Sequence, residues 1–169
     1  MAREQLTKQD VQKIEQEIEH RKLVVRPEAI EAVKEARAQG DLSENFEYYA
    51  AKREKNMNES RIRYLERMLK FATIVEEKES ADDEAALNKT VTVYFPDDDE
   101  TETFRIVTSI RGNSLRGLIS IDSPMGKALL HRKVGDTVFV RVNEHAGYNV
   151  IIKEIGEAQD DTDDAIRQY

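Results

Sequence analysis

The segment from Ser43 to Ile74 contains neither glycine nor proline, and no other feature constrains the fold of the chain as strongly. About 30 residues without a helix breaker predict one helix about 45 Å long, longer than a small domain is wide. Apolar residues recur in it at helical spacings and form a narrow face: Phe46, Ala50, Met57, Ile62, Leu65, Leu69 and Ala72. Such a helix must bury this face against another long element.

A second helical segment comes before this one in the chain. Thr7 and Asp10 have the spacing of a capping box, which predicts a helix start. Pro27 predicts a kink, because proline disfavours helical geometry at the residue before it. Two long helices joined by a short turn run antiparallel, so residues 1–75 are predicted to form a coiled-coil hairpin with its tip at 40–45.

The composition changes after Val75. Residues 76–86 are acidic without apolar periodicity, which predicts a linker. Five strand-like runs and one short helix follow, so residues 87–156 are predicted to form a small antiparallel β-sheet domain, and the whole chain an α+β fold. Residues 157–169 are acidic with few apolar side chains and are predicted to be disordered.

Composition excludes several classes of function. With 36% charged residues, no cysteine and only three histidines, disulfides and a self-contained metal site are not expected. No apolar run is long enough to span a membrane, and a cytoplasmic location is expected. The chain has 15 basic and 14 acidic residues up to Val75, and 11 and 20 after it. This acidic balance argues against independent sequence-specific DNA binding and favours a protein partner.

Asp41 and Glu44 lie three residues apart in the predicted tip, and two explanations fit that spacing. Asp41 has the position of an N-cap of the second long helix, with Glu44 as its capping-box partner. Alternatively, the exposed tip offers two carboxylates to a hard cation such as Mg²⁺. Because two ligands make a weak site, the second explanation requires a partner that supplies the others.

Basic and aromatic residues flank the tip and also allow two interpretations. The basic ones are Arg37, Lys52, Arg53 and Lys55. They are suited to attract a phosphate backbone, but nearby glutamates equally fit a solvated helix face with ion pairs. Tyr48 and Tyr49 are suited to stack on nucleotide bases or to pack beside the helical seam.

Two motifs in the chain resemble those of a known family. The stretch "EARAQGDLSENFEYYAAKRE" resembles the tip motif of the bacterial Gre transcript cleavage factors, closest to their GreA branch, and "LISIDSPMGKALLHRKVGDTVFV" resembles their C-terminal signature. The resemblance covers about residues 5–156. It implies a coiled-coil hairpin followed by an FKBP-like domain. It also implies a transcription elongation factor that inserts its tip through the secondary channel of bacterial RNA polymerase and stimulates cleavage of backtracked RNA.

The resemblance further assigns roles to individual residues. Asp41 and Glu44 match tip acids that help the polymerase hold a shared Mg²⁺, so no cofactor is expected on the chain alone, and the polymerase rather than this chain is the enzyme. Arg37 and Lys52 match the family's basic patch, which lies near the 3′ end of the nascent RNA. Arg53 and Lys55 are included only because they are close to Lys52 in the sequence. A polymerase-binding loop is implied at Ser120, Asp122 and Pro124, whose alternation predicts one side of an extended chain.

The chain departs from the family pattern at Ser43, Phe46 and Tyr49, where many relatives carry Lys, Ala and His. Two rival functions remain. One is a regulator of the same shape that enters the channel without promoting cleavage, and the other is a prolyl isomerase, suggested by the implied fold of the second domain.

Overall fold

The structure, a computed structural model, describes residues 3–39, 45–159 and 164–168. The chain divides into two compact units. Val11–Ala72 makes up most of the first, and Gln5–Asp10 together with the chain from Thr73 onward makes up the second. The predicted α+β class, a helical hairpin followed by a small β-sheet domain with one short helix, is confirmed. The sheet is mixed rather than wholly antiparallel, because one of its strand pairs is parallel.

The first unit is a hairpin of long helices. Its elements are α1 (Lys8–His20), a π-helical turn (Arg21–Val25), α2 (Arg26–Ala38) and α3 (Phe46–Phe71). Residue numbers fall along one arm as they rise along the other: Arg26 pairs with Glu59 at 2.7 Å, and Lys22 with Glu66 at 2.7 Å. The two arms are therefore antiparallel, as predicted.

The first arm continues through Pro27 without a break. Val25 and Arg26 both keep right-handed helical angles, although a residue before proline usually avoids them. The π-helical turn ends at Val25, two residues before Pro27, and the backbone N–H of Arg26 donates to the carbonyl of Arg21 five residues earlier. The predicted kink therefore takes the form of a changed hydrogen-bond pattern rather than a helix end.

The apolar seam of α3 is narrow because polar side chains share it. Ile62, Leu65 and Met68 are buried, as are Asn58 and Arg61. Phe46 and Met57, both assigned to the apolar face from the sequence, are 85% and 53% exposed. Their assignment to the seam is wrong, because most of each side chain is exposed to solvent.

The second unit is built on a β-sheet. Its strands are β1 (Gln5–Leu6), β2 (Thr73–Ile74), β3 (Lys89–Phe95), β4 (Glu100–Val107), β5 (Leu118–Ser120), β6 (Thr137–Arg141) and β7 (Gly147–Ala158). Among the described residues, the larger sheet has the order β5-β4-β3-β7-β6. Its pairs are antiparallel except β4–β5, which is parallel. The predicted short helix, α4 (Pro124–Leu129), follows β5, with Ser123 as N-cap and Pro124 in its first turn.

Contacts within the second unit fix its N-terminal residues and the end of the predicted linker. Thr7 and Asp10 exchange hydrogen bonds of 3.0 and 3.1 Å, which confirms the capping box. Ala85, at the end of the predicted linker 76–86, is fully buried in the same core as Val91 and Val93. Alternating strand residues face this core, which gives the sheet unit an apolar interior.

The C-terminal segment, residues 164–168, lies against the sheet unit. Asp164 accepts a 2.9 Å hydrogen bond from Arg111 and also forms an ion pair with Arg105, while Ile166 is buried. Burial acts to raise the pKa of Asp164, but hydrogen bonds from Arg105 and Arg111 outweigh it, and the pKa falls below its usual value. The prediction of a disordered tail is wrong for these residues, because one acidic and one apolar side chain anchor them.

Candidate functional site

The hairpin end is organised by Asn45. Its side-chain oxygen accepts a 3.0 Å hydrogen bond from the backbone N–H of Tyr48, which makes Asn45 the N-cap of α3. Its side-chain nitrogen donates a 2.6 Å hydrogen bond to the carbonyl of Ala36 in the last turn of α2. One side chain thus satisfies an end group of each helix and ties the two arms together. Sequence reasoning missed it, although an asparagine directly before a helical run is an N-cap signal.

Asp41 and Glu44 lie outside the described residues, between Gln39 and Asn45 in the sequence. The N-cap of α3 is nevertheless settled, because Asn45 occupies that position and α3 begins at Phe46. The hypothesis that Asp41 caps this helix, with Glu44 as its capping-box partner, is therefore wrong. The metal-ligand hypothesis for the two carboxylates remains a prediction.

Basic side chains lie around Tyr48. Arg37 lies over its ring, with the guanidinium carbon 5.6 Å from the ring centroid, and donates a 3.5 Å hydrogen bond to its hydroxyl. The hydrogen bond from Arg37 lowers the pKa of the Tyr48 phenol, and the charges of Lys52, Arg37 and Lys55 lower it further. We call Arg37, Tyr48, Lys52 and Lys55 the basic cluster. Three of the four predicted basic residues thus share one electrostatic environment.

Arg53 was grouped with the other basic residues only by its proximity in sequence, and helical spacing places it on a different face of α3 from the basic cluster. It follows Tyr48 by five residues, which is about 140° around an α-helix, whereas Lys52 and Lys55 follow Tyr48 by four and seven.

The neighbouring aromatic residues Tyr48 and Tyr49 differ in their surroundings. Tyr48 is partly buried under Arg37, but Tyr49 is half exposed and meets the Tyr48 ring edge-on at 5.5 Å.

The predicted loop of the sheet unit is held by hydroxyl groups. The Ser109 hydroxyl lies 2.6 Å from the Ser120 hydroxyl and donates a 2.7 Å hydrogen bond to the Asp122 carboxylate. The backbone N–H of Asp122 in turn donates to the Ser120 hydroxyl at 2.9 Å. Asp122 and Pro124 are exposed. Ser109 was not predicted, because nothing in its local sequence indicates this contact.

The loop is not extended, contrary to the sequence prediction. β5 ends at Ser120, the chain turns at Ile121 and Asp122, and α4 starts at Pro124. The Ser123 hydroxyl donates to the carbonyl of Ser120 at 2.6 Å and so closes the turn. The turn, rather than strand alternation, brings Ser120 and Asp122 together.

Within the described residues, His, Asp and Glu side chains form no cluster of three that suits a metal ion. No helix in this described part of the chain is long and apolar enough to cross a membrane. The two carboxylates of the predicted tip are oxygen donors, the type of ligand that Mg²⁺ prefers, and so the donor set fits a shared ion.

Comparison with known proteins covers nearly the whole chain. The family model described as "Transcription elongation factor, N-terminal" matches residues 4–74, and the model "Transcription elongation factor, GreA/GreB, C-term" matches residues 79–157. The matched ranges include the hairpin end and the Ser120 loop.

Individual relatives agree with the family models. Transcription elongation factor GreA of Geobacillus kaustophilus (strain HTA426) is 48% identical over 136 residues, which are 80% of this chain and 86% of the relative. The same factor of Streptococcus pneumoniae serotype 19F (strain G54) is 44% identical over 135 residues, 80% and 84% of the two chains. The crystal structure of GreA factor homolog 1 of Thermus thermophilus is 28% identical over 92% of this chain and all of its own, but its TM-score of 0.42 is too low to add to the sequence matches. The chain belongs to the GreA/GreB family of transcription elongation factors.

Proposed function

We propose that this chain binds bacterial RNA polymerase and stimulates it to cleave backtracked RNA, with the hairpin end entering through the secondary channel. The observation that carries the proposal is the pair of hydrogen bonds made by Asn45, which join the ends of α2 and α3 where the two carboxylates are inserted in the sequence. Hydrogen bonds that connect the ends of the two helices suit a hairpin that must present a short turn to another protein. The cytoplasmic location expected from the sequence is part of the same proposal.

The dimensions of the hairpin suit this role. α3 has 26 residues, which corresponds to about 39 Å at 1.5 Å per residue. Ion pairs and hydrogen bonds join the arms along this length, including Arg26–Glu59 and Arg61–Glu17. A stiff rod can hold functional groups at a fixed distance from the surface that anchors it.

Asp41 and Glu44 would hold a Mg²⁺ ion together with ligands from the polymerase. When bound, the ion supplies charge stabilisation to the attacking and leaving oxygens of the phosphodiester. The chain contributes oxygen donors and their placement, and the polymerase performs the cleavage. This division of labour agrees with the relatives, which are named as transcription factors and not as enzymes.

The basic cluster would hold the RNA 3′ end next to these carboxylates. Arg37 and Lys52 carry positive charge on exposed positions, and Arg37 is oriented by its contact with the Tyr48 ring. Cationic side chains of this kind bind phosphate oxygens and position a nucleic acid without reading its bases. In the second unit, Ser120, Asp122 and Pro124 would contact the polymerase surface.

The test is Asp41→Asn in the full chain, assayed on stalled, backtracked elongation complexes for release of short 3′ RNA fragments. Since Asn45 caps α3, this substitution leaves the cap untouched and removes only a charged oxygen ligand. We expect loss of cleavage with unchanged helix content and polymerase binding. Glu31→Gln, at an exposed position of α2, is the control with the same charge change.

The same assay separates the rival regulator. If the unaltered protein binds the polymerase and does not accelerate cleavage, the chain is a channel-binding regulator and the proposed mechanism is wrong. If Asp41→Asn retains full activity, the carboxylate is not a metal ligand. The prolyl isomerase alternative is tested by measuring proline isomerisation with the same protein, where catalysis above the background rate would support it.

A further inference from the structure

A cleft of about 680 Å³ lies between the C-terminal segment and the turns that precede β5. One wall is formed by residues 165–168 of the segment. The opposite wall includes Leu115 and Arg116, in a 3₁₀ turn (Ser114–Arg116), and Ser120 at the end of β5. The cleft therefore borders the loop that the sequence predicts to contact the polymerase.

Buried charge holds the C-terminal segment in place. Asp164 pairs with Arg111, which is only 1% exposed and which also pairs with the buried carboxylate of Asp10 at 2.7 Å. Farther along, the backbone N–H of Arg167 donates a 2.5 Å hydrogen bond to the carbonyl of Ile110. Releasing Asp164 would leave the buried charge of Arg111 less well compensated, so the wall is well anchored.

The charge of the side chains that line the cleft differs from that of the rest of the chain after Val75. Leu115 is 97% exposed, and Arg116 and Arg167 are also exposed. No carboxylate is found among the described residues that line the cleft, although 20 acidic residues against 11 basic ones follow Val75. A cationic, partly apolar cleft on an acidic protein is complementary to an acidic segment that carries an apolar side chain.

We propose that this cleft docks an acidic, partly apolar segment of RNA polymerase, with the C-terminal segment as one of its walls. The inference rests on the proposed function, because Ser120 links the cleft to the predicted polymerase-binding loop. The segment leaves Leu115 and Arg116 exposed, so it borders the cleft and does not cover it. The family model ends at residue 157, so this wall lies beyond the matched part of the chain.

The experiment measures equilibrium binding of the full-length protein to core RNA polymerase at two salt concentrations. We expect Arg116→Glu to weaken binding about tenfold and to reduce its salt dependence, because it reverses a charge at the cleft. Asp164→Asn is expected to weaken binding by releasing the wall, and the exchange rate of the Arg167 amide reports that release. Glu144→Gln, at an exposed position between β6 and β7, is the control with the same charge change as Asp164→Asn.

A second variant, which lacks residues 160–169, removes the wall whether or not Asp164→Asn releases it. Unchanged or tighter polymerase binding by this variant would overturn the inference, as would unchanged binding by Arg116→Glu. If the unaltered protein fails to bind polymerase at all, the proposed function itself is wrong. If it binds and promotes cleavage while the cleft variants behave like the control, only the cleft assignment fails.

Discussion

The side-chain amide of Asn45 donates a 2.6 Å hydrogen bond to the carbonyl of Ala36, and this contact joins the N-cap of one helical arm to the last turn of the other. Removing it as Asn45→Ala also removes the N-cap, so we expect the free energy of unfolding of the helical unit to fall by about 1–2 kcal/mol. Urea unfolding followed by circular dichroism measures this change.

Asn45→Asp separates the two contributions of this side chain. Aspartate accepts the Tyr48 N–H as well as asparagine does, but it cannot donate to the Ala36 carbonyl. We expect the Tyr48 amide to keep its protection from hydrogen exchange in Asn45→Asp and to lose it in Asn45→Ala. Equal protection in both variants would show that the cap is not what stabilises this helix start.

Local spacing predicted the elements well and their long-range partners poorly. The capping box of Thr7 and Asp10 follows from a three-residue spacing and is present as predicted. The same Asp10 carboxylate also accepts a 2.6 Å hydrogen bond from Thr108, which is 98 residues away, and pairs with Arg111. No local pattern encodes these contacts, because they join residues of the second unit that lie far apart in the sequence.

Burial of charge explains the other differences. The apolar stripe of α3 was predicted from hydrophobic residues alone, but Arg61 is 2% exposed within the seam because Glu17 neutralises it. The C-terminal segment has few apolar residues, which predicts disorder, yet Asp164 meets the buried charge of Arg111. A charged side chain can be buried in a core when an oppositely charged partner is buried beside it, and a single sequence does not show which residues form such pairs.

The contact between Arg37 and Tyr48 can be followed by titration. Because the Arg37 hydrogen bond and nearby lysines lower the pKa of the Tyr48 phenol, we expect this group to lose its proton at a lower pH than an ordinary tyrosine. The difference between ultraviolet titrations of the unaltered protein and Tyr48→Phe isolates its ionisation. Arg37→Gln should move the pKa upward, and an unchanged titration would mean that Arg37 does not contact the phenol in solution.

The ion pair between Glu17 and Arg61 makes the hairpin sensitive to acid. Burial acts to raise the pKa of Glu17, but hydrogen bonds from Arg61 and Arg21 outweigh it and lower the pKa below its usual value. A carboxylate with a lowered folded-state pKa contributes stability above its unfolded pKa, about 4.3. That stability is lost as the pH falls through the folded pKa.

Glu17→Gln should therefore reduce the free energy of unfolding of the helical unit by about 3 kcal/mol near neutral pH, because Arg61 remains buried without its anion. The difference from the unaltered protein should shrink as the pH falls through the lowered pKa of Glu17, because the carboxylate of the unaltered protein is then itself becoming protonated. Urea unfolding at several pH values measures both effects. Glu15→Gln, at an exposed position of α1, should show neither.

Gly126 in α4 sets the shape of the Ser120 loop. Replacing it by alanine has two effects on stability that act in opposite directions. Alanine favours a helix over glycine by about 1 kcal/mol, so propensity alone predicts a more stable protein. A Cβ atom at this position would lie only 1.9 Å from the carbonyl oxygen of Ser120, which already accepts the Ser123 hydroxyl. Because that neighbour is backbone, either the loop or the helix must shift.

We expect the steric effect to win, so that Gly126→Ala lowers the free energy of unfolding of the sheet unit by about 1–3 kcal/mol. Polymerase binding should weaken in parallel, since the displaced carbonyl belongs to the residue that starts the predicted contact loop. Lys127→Ala, at the next and exposed position of α4, tests helix propensity without the clash. If Gly126→Ala is as stable as Lys127→Ala and binds polymerase normally, the close approach of α4 to Ser120 does not shape the loop.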